Sequence, residues 1–274
     1  MMKCEIVKYG VILLTVSIHS QWVSQVSGTP RHLLNVEILD LNTGFISGDL
    51  VGGILKTTNG GLNWIIYTEP LTEQYNGISF KDYNTGIAVG PPGVVIRTTD
   101  GGLNWVVVSR PGGDLGEIQF VTPSTVYACG DQIIKSTDSG LSWSIIQDYP
   151  NILNSLYFTD SLNGTVVGTG GFIVTTTNGG INWTQRYMML PVQLADSTLG
   201  CVHYVNAQTG YAGGIAGIVV KTTNAGINWS YIPVGMSTTI QGIFFTDINT
   251  GTAVANVGRI YRTTNGGLNW VLQT

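Results

Sequence analysis

Between residues 77 and 109 the chain reads GISFKDYNTGIAVGPPGVVIRTTDGGLNWVVVS. Its apolar residues fall into four short runs, Ile78–Phe80, Ile87–Val89, Val94–Ile96 and Trp105–Val108. None is long enough for a helix, and β-branched and aromatic residues dominate them, so each predicts a strand. Asn84-Thr85-Gly86, Pro91-Pro92-Gly93 and Asp100-Gly101-Gly102 separate the runs. They predict tight turns, because glycine accepts positive φ and an Asx side chain bonds its own backbone. The unit is therefore a four-stranded antiparallel meander with strands A, B, C and D. The same order recurs, giving units at about 33–68, 77–109, 117–147, 155–187, 201–233 and 240–274.

The connection from C to D repeats almost letter for letter. It is TTNGGLNW at 57–64, TTDGGLNW at 98–105, STDSGLSW at 136–143, TTNGGINW at 176–183, TTNAGINW at 222–229 and TTNGGLNW at 263–270. Each octet reads as the C–D turn plus the first residue of strand D. Asn59, Asp100, Asp138, Asn178, Asn224 and Asn265 can accept hydrogen bonds from turn amides, and the second glycine suits a left-handed backbone. Trp64, Trp105, Trp143, Trp183, Trp229 and Trp270 are large rings suited to a wedge between sheets. Their spacing of roughly 40 residues lies in the range of propeller blades. A lone four-stranded sheet cannot bury both faces, whereas blades packed radially around an axis can. The expected fold is all-β, a β-propeller with six blades visible. Chemistry rarely needs six copies of one turn, so the octet reads as a structural fastener.

The Ser/Thr-x-Asx-x-Gly-x-x-Trp pattern resembles the Asp-box, or bacterial neuraminidase repeat. The fuller unit, Ile243-Phe-Phe-Thr-Asp-Ile-Asn-Thr-Gly251 followed by Arg262-Thr-Thr-Asn-Gly-Gly-Leu-Asn-Trp270, is similar to photosystem II stability/assembly factor-like propeller repeats. That resemblance implies the propeller fold and chaperone-like binding of a protein. Four of the six boxes carry Asn where the pattern prefers Asp, and Asn serves the turn equally. Propellers of this family have seven blades. Gln21-Trp22-Val-Ser-Gln-Val-Ser-Gly28 resembles an orphan D strand, with Trp22 in the tryptophan position. Two arrangements stay open: a truncated seven-bladed ring, or a six-bladed ring with an extra edge strand at 21–28.

Charge and composition narrow the partners. The 274 residues include 37 glycines, only 10% charged residues and a net charge of −4, with no basic run to hold nucleic acid. Lys3 and Lys8 precede an apolar stretch ending at Ile18, which predicts a signal peptide over 1–20 and an exported protein, periplasmic, cell-surface or secreted. No segment is long and apolar enough to span a membrane. Cys129 and Cys201 lie in different repeats and read as small buried residues.

Candidate chemistry is sparse. Sialidases that share the Asp-box use three arginines, a Tyr–Glu nucleophile pair and an Asp acid; Thr29-Pro30-Arg31-His32 does not match their early Arg-Ile-Pro motif. Arg97 and Arg262 share a repeat position with Lys56, Lys135 and Lys221, which points to structure or surface. Asp-box glycosidases need two carboxyls at a fixed separation. Asp40, Asp82, Asp160 and Asp247 recur in the A–B turn, while Asp49, Asp114, Asp131, Asp148 and Asp196 do not repeat. No catalytic residue, metal site or cofactor is assigned. The middle of strand A varies, as Glu37, Ser79, Gln119, Tyr157, His203 and Phe244, and reads either as an axial-channel lining or as packing between blades. The long loop 185–200 carries Tyr187, Met188, Met189 and Leu190, which suit an adaptable interface or a cap over the blade. The expected function is a non-enzymatic scaffold for a protein partner. The alternative is carbohydrate binding or an Asp-box glycoside hydrolase.

Overall fold

The computed structural model describes residues 2–3, 24–49, 53–67, 73–188 and 197–273. The chain divides into two compact units, Met1–Ile118 and Gln119–Thr274. In the first unit, sheet 1 runs through Leu33–Ile38, Gly44–Gly48, Ile54–Thr57 and Ile65–Tyr67, and sheet 2 through Gly77–Phe80, Gly86–Gly90, Val94–Thr98 and Val106–Ser109. Met2–Lys3 also pairs with the first strand of sheet 1, Met2 opposite Ile38 and Lys3 opposite Glu37. Sheet 3 comprises Leu115–Phe120, Val126–Gly130, Gln132–Ser136 and Ser144–Asp148, and its first strand holds the unit boundary. The second unit continues with sheet 4 (Leu153–Phe158, Gly164–Gly168, Ile173–Thr176, Thr184–Arg186) and sheet 5 (Leu199–Tyr204, Gly210–Gly214, Val219–Thr222, Ser230–Ile232). Sheet 6 is Ile240–Phe245, Gly251–Ala255, Arg259–Thr263 and Val271–Leu272.

The four-stranded meander expected from the apolar runs is thus the repeating unit, all-β, and the fold class is that of a β-propeller. Two details differ from expectation. The octet starts on the last residue of the third strand, as at Thr98, and its tryptophan precedes the fourth strand instead of opening it. Of the expected edge strand at 21–28, residues 21–23 lie outside the described residues and 24–28 form no strand. Most of the expected signal peptide, 4–20, also lies outside them.

The octet is held by its own side chains. In all six copies the first-position hydroxyl accepts the N–H of the second glycine at 2.9–3.0 Å. The Asx Oδ1 accepts the N–H four residues on at 2.9 Å, again six times. Those glycines have φ between +78° and +85°, where a side chain would be strained. The residue before them is also left-handed, and there Ser139 (φ 62°) and Ala225 (φ 56°) replace glycine. That residue's N–H donates to a carbonyl of the same sheet's A–B turn at 2.8–2.9 Å, as Gly60 to Asn42, Gly179 to Leu162 and Gly266 to Asn249. The A–B turns are capped in turn: each Oδ1 of Asp40, Asp82, Asp160 and Asp247 accepts two backbone N–H groups.

Neighbouring sheets lock through an aromatic wedge. In the second unit Tyr127 of sheet 3 stacks on Phe158 of sheet 4 at 4.2 Å, and Trp183 meets Phe158 edge-on at 6.0 Å. Sheets 5 and 6 repeat this with Tyr211 on Phe245 at 3.7 Å and Trp270 at 5.8 Å. Between sheets 4 and 5 the stack becomes a hydrogen bond, Thr165 to the Tyr204 hydroxyl at 2.8 Å, with Trp229 edge-on to Tyr204. In the first unit Phe45 stacks on Phe80 at 3.9 Å and Trp105 is edge-on. The wedged ring lies over a glycine of its own sheet: a Cβ on Gly164 would sit 2.6 Å from the Phe158 ring. Lysine closes each of the three interfaces with a stacked ring pair. Lys135 lies over Tyr127 and donates to Gly179 O at 2.9 Å, and Lys56 and Lys221 do the same to Gly101 and Gly266. The core therefore lies between sheets. Trp143, Trp229 and Trp270 also donate to an octet carbonyl at 3.0–3.1 Å; the N–H groups of Trp64, Trp105 and Trp183 make no hydrogen bond.

Two outcomes test the octet. Ala225→Gly removes side-chain strain at a left-handed position and raises stability by about 1 kcal/mol, measured as a shift in denaturant midpoint. Asp138 is held well below the usual carboxylate value of 3.8, to about 2, first by the Ser142 hydroxyl and then by the Ser142 amide. Its folded pKa is depressed, so its contribution is complete above the unfolded value and disappears as pH falls from about 4 to about 2. Asp138→Asn flattens the acid limb of stability against pH across that window.

Candidate functional site

The first strand of every sheet carries the candidate residues, because side chains there alternate and every second one turns toward the neighbouring first strand. In the second unit Gln119 does not end in open space. Its amide donates to Phe158 O at 3.2 Å and accepts from Phe158 N at 2.8 Å, imitating a backbone bridge to the next sheet. His203 is buried, and its Nε2 lies 3.2 Å from Phe245 O, the corresponding carbonyl of sheet 6. The His203 ring is edge-on to Tyr157 at 5.2 Å and tilted against Phe244 at 4.6 Å. The structure thus brings Tyr157, His203 and Phe244 into one aromatic row, with Tyr157 and Phe244 half-buried. In the first unit Glu37 and Ser79 are almost fully buried.

A second tier of polar residues escaped the sequence reading. Asn35 donates to the Glu117 carboxylate at 3.3 Å, and Glu117 also accepts from Ile118 N. Gly77 permits this approach, since a Cβ there would lie 3.1 Å from the Glu117 backbone. Asn76 donates to Leu115 O at 2.9 Å. In the second unit Asn154 donates to Leu199 O at 2.8 Å, and Ser155 accepts from Val202 N at 3.3 Å. The signal was present as polar residues two apart on one strand: Asn35 and Glu37, Glu117 and Gln119. These groups join first strands that share no backbone ladder.

Around this frame the loops carry the exposed side chains. Tyr187 is 82% exposed. Met188 is half-buried against the cluster containing Val167, Leu199 and Trp229, so it anchors the loop while Tyr187 projects. Met189 and Leu190 lie outside the described residues, as does Asp196. Asp114, Asp131 and Asp148 are exposed, and Glu73 pairs with Arg110 at 2.8 Å. Burial raises the Tyr204 phenol to about 12, which keeps it protonated beside Thr165. Cys129 and Cys201 are buried free thiols. Among the described residues no three His, Cys, Asp or Glu side chains are grouped to hold a metal, and no helix is long and apolar enough to cross a membrane.

With the geometry in place, the chain can be set beside known proteins. A family model described as photosynthesis system II assembly factor YCF48 matches residues 14–132 and 135–274. No curated protein matches. A solved YCF48 bound to a D1 peptide is similar over 89% of this chain and 81% of its own, with a TM-score of 0.72 and 19% identity. YCF48 from Cyanidioschyzon merolae is similar over 88% and 84%, with a TM-score of 0.70 and 17% identity. The GH74 enzyme of Niastella koreensis is similar over 87% of this chain but 37% of its own, with a TM-score of 0.63 and 18% identity. At these identities the likeness shows the fold alone.

If the strand-A residues are staples, Gln119→Ala leaves the Phe158 N–H without its partner. It lowers stability by about 1–3 kcal/mol, read from urea unfolding. A lining residue would leave stability unchanged.

Proposed function

The chain belongs to the photosynthesis system II assembly factor YCF48 family, and from that premise we propose that it is an exported, non-enzymatic propeller that binds a protein partner as an assembly scaffold. The observation that carries this reading is the loop after sheet 4. Tyr187 stands 82% exposed beside Met188, which is tucked into the sheet 5 core. An aromatic with a polar tip, projecting beside a half-buried anchor, suits a protein contact with little ordering cost. The D1 peptide bound to a related YCF48 structure supports a protein segment as the ligand class. Gln119 and His203, in the middle of their first strands, bond to neighbouring sheets, which favours the loops for partner recognition.

Immobilised protein is offered peptides cut from the co-purifying partner and, in parallel, a panel of polysaccharides. Peptide binding that falls about tenfold or more when Tyr187–Leu190 is replaced by Gly/Ser is the expected result. Polysaccharide cleavage abolished by substituting Asp114, Asp131 or Asp148 overturns it in favour of a glycoside hydrolase.

A further inference from the structure

The first strand of a sheet pairs along one edge with the second strand. Hydrogen-bond alternation fixes which groups turn to its other edge. In sheet 4, Phe158 stands opposite Gly164 and the next bond is Thr159 N–H to Asn163 O. The N–H and C=O of Phe158 therefore leave the ladder, and the Gln119 amide meets both of them there. Phe245 holds the same place in sheet 6, opposite Gly251 and followed by Thr246 N–H to Thr250 O, and its C=O lies against His203 Nε2. Two residues earlier in the repeat the rule holds again: Val202 of sheet 5, opposite Ala212, donates its N–H to Ser155.

In sheet 1 these places belong to Val36 and Ile38. Ile38 stands opposite Gly44, Leu39 N–H bonds Thr43 O, and Val36 stands opposite Ile46. Their main-chain groups thus turn to the same outlying edge. There the neighbour of Ile38 is not a side chain but a strand. Met2 pairs antiparallel with Ile38, and Lys3 with Glu37, so sheet 1 has five strands where sheets 2 to 6 have four. The Gln119 amide imitates a main-chain bridge; at Ile38 the bridge is main chain itself.

We propose that this edge of sheet 1, at Val36–Ile38, is a main-chain docking site for an extended segment of the protein partner, laid antiparallel beside the strand. The proposal rests on the reading that the chain is exported and binds a protein. Met2 and Lys3 lie in the expected signal peptide 1–20, and its removal leaves the edge at Ile38 open. The chain's own segment shows what fits: a strand with a free N–H at the residue opposite Ile38. Recognition through main-chain groups tolerates many side chains at that residue, but neither proline nor an N-methyl group. Ile38 belongs to the first unit and Tyr187 to the second, so each can be altered without the other.

The test uses the full chain carrying Met2→Pro, which removes the donor opposite Ile38 and frees the edge. The probe is a fluorescent synthetic peptide with the sequence of residues 1–8 and serine in place of Cys4. Its copy N-methylated at the Met2 nitrogen is the control, and binding is read by anisotropy. The probe binds, and the N-methyl copy binds about tenfold more weakly or worse. The unsubstituted chain binds the probe severalfold more weakly than the Met2→Pro chain, because its own segment competes. Hydrogen exchange at the Ile38 amide is slow in the unsubstituted chain, fast with Met2→Pro and slow again once the probe is added. Peptides cut from the co-purifying partner displace the probe, and replacing Tyr187–Leu190 by Gly/Ser changes none of this. Equal binding of the two synthetic peptides, Ile38 exchange indifferent to the probe, or no displacement by partner peptides overturns the proposal. So does a dimer of the Met2→Pro chain that the probe dissolves, which assigns the edge to a second copy. Partner peptides that bind through Tyr187–Leu190 and leave Ile38 exchange unchanged refute this site alone; partner peptides that bind nowhere refute the protein-binding reading as well.

Discussion

A ring clasped between two sheets is the interaction on which the rest of this protein depends. A four-stranded meander has two apolar faces and no means of covering either by itself. Phe158 shows the solution: Tyr127 of the preceding sheet covers one face, its own Gly164 leaves room beneath the other, and Trp183 closes the edge. A pair of this kind contributes about 0.5–1.5 kcal/mol beyond its buried area, and the lysine over Tyr127 adds a contact of similar size. The sum is modest at any one interface. It becomes decisive because it recurs between sheets 1 and 2, 3 and 4, and 5 and 6.

Inner strands face a different problem. Strands of adjacent sheets approach closely but do not form a ladder, so their polar groups need partners of another kind. Side chains supply them. The amides of Asn76, Gln119 and Asn154, the Ser155 hydroxyl and the His203 imidazole each reach a backbone group of a neighbouring first strand. Tyr157 and Phe244 pack against the His203 ring instead.

Much of the architecture was legible in the chain. Short β-rich runs, turn residues and the recurring octet identify the meander, and Asp138 or Asn178 can be assigned its turn role without coordinates. The tryptophan was correctly read as a wedge, but its partner was not: nothing local says that Trp183 meets Phe158 or that Tyr127 lies on the far side. Those contacts join residues 25 and 31 positions apart, beyond the reach of periodicity arguments. Likewise the second polar tier, Asn35 with Glu117, spans two repeats and depends on the missing side chain of Gly77. Edge protection was also invisible. The fourth strands of sheets 2 and 3, the longest of the six, face partners with a register break at Val95/Ile96 and Ile133/Ile134, and such breaks disfavour pairing with foreign strands.

The tie from octet to A–B turn bears on how this protein ages. Asn59, Asn178 and Asn265 are each followed by glycine, the dipeptide most prone to cyclise, lose ammonia and turn into aspartate or isoaspartate. That reaction requires the glycine nitrogen to swing onto the amide carbon. Here the nitrogens of Gly60, Gly179 and Gly266 are bound to carbonyls across the sheet, while the asparagine oxygens hold amides four residues on. Chemical decay at these turns is thereby slaved to their opening, and the same bonds that shape the turn set its shelf life.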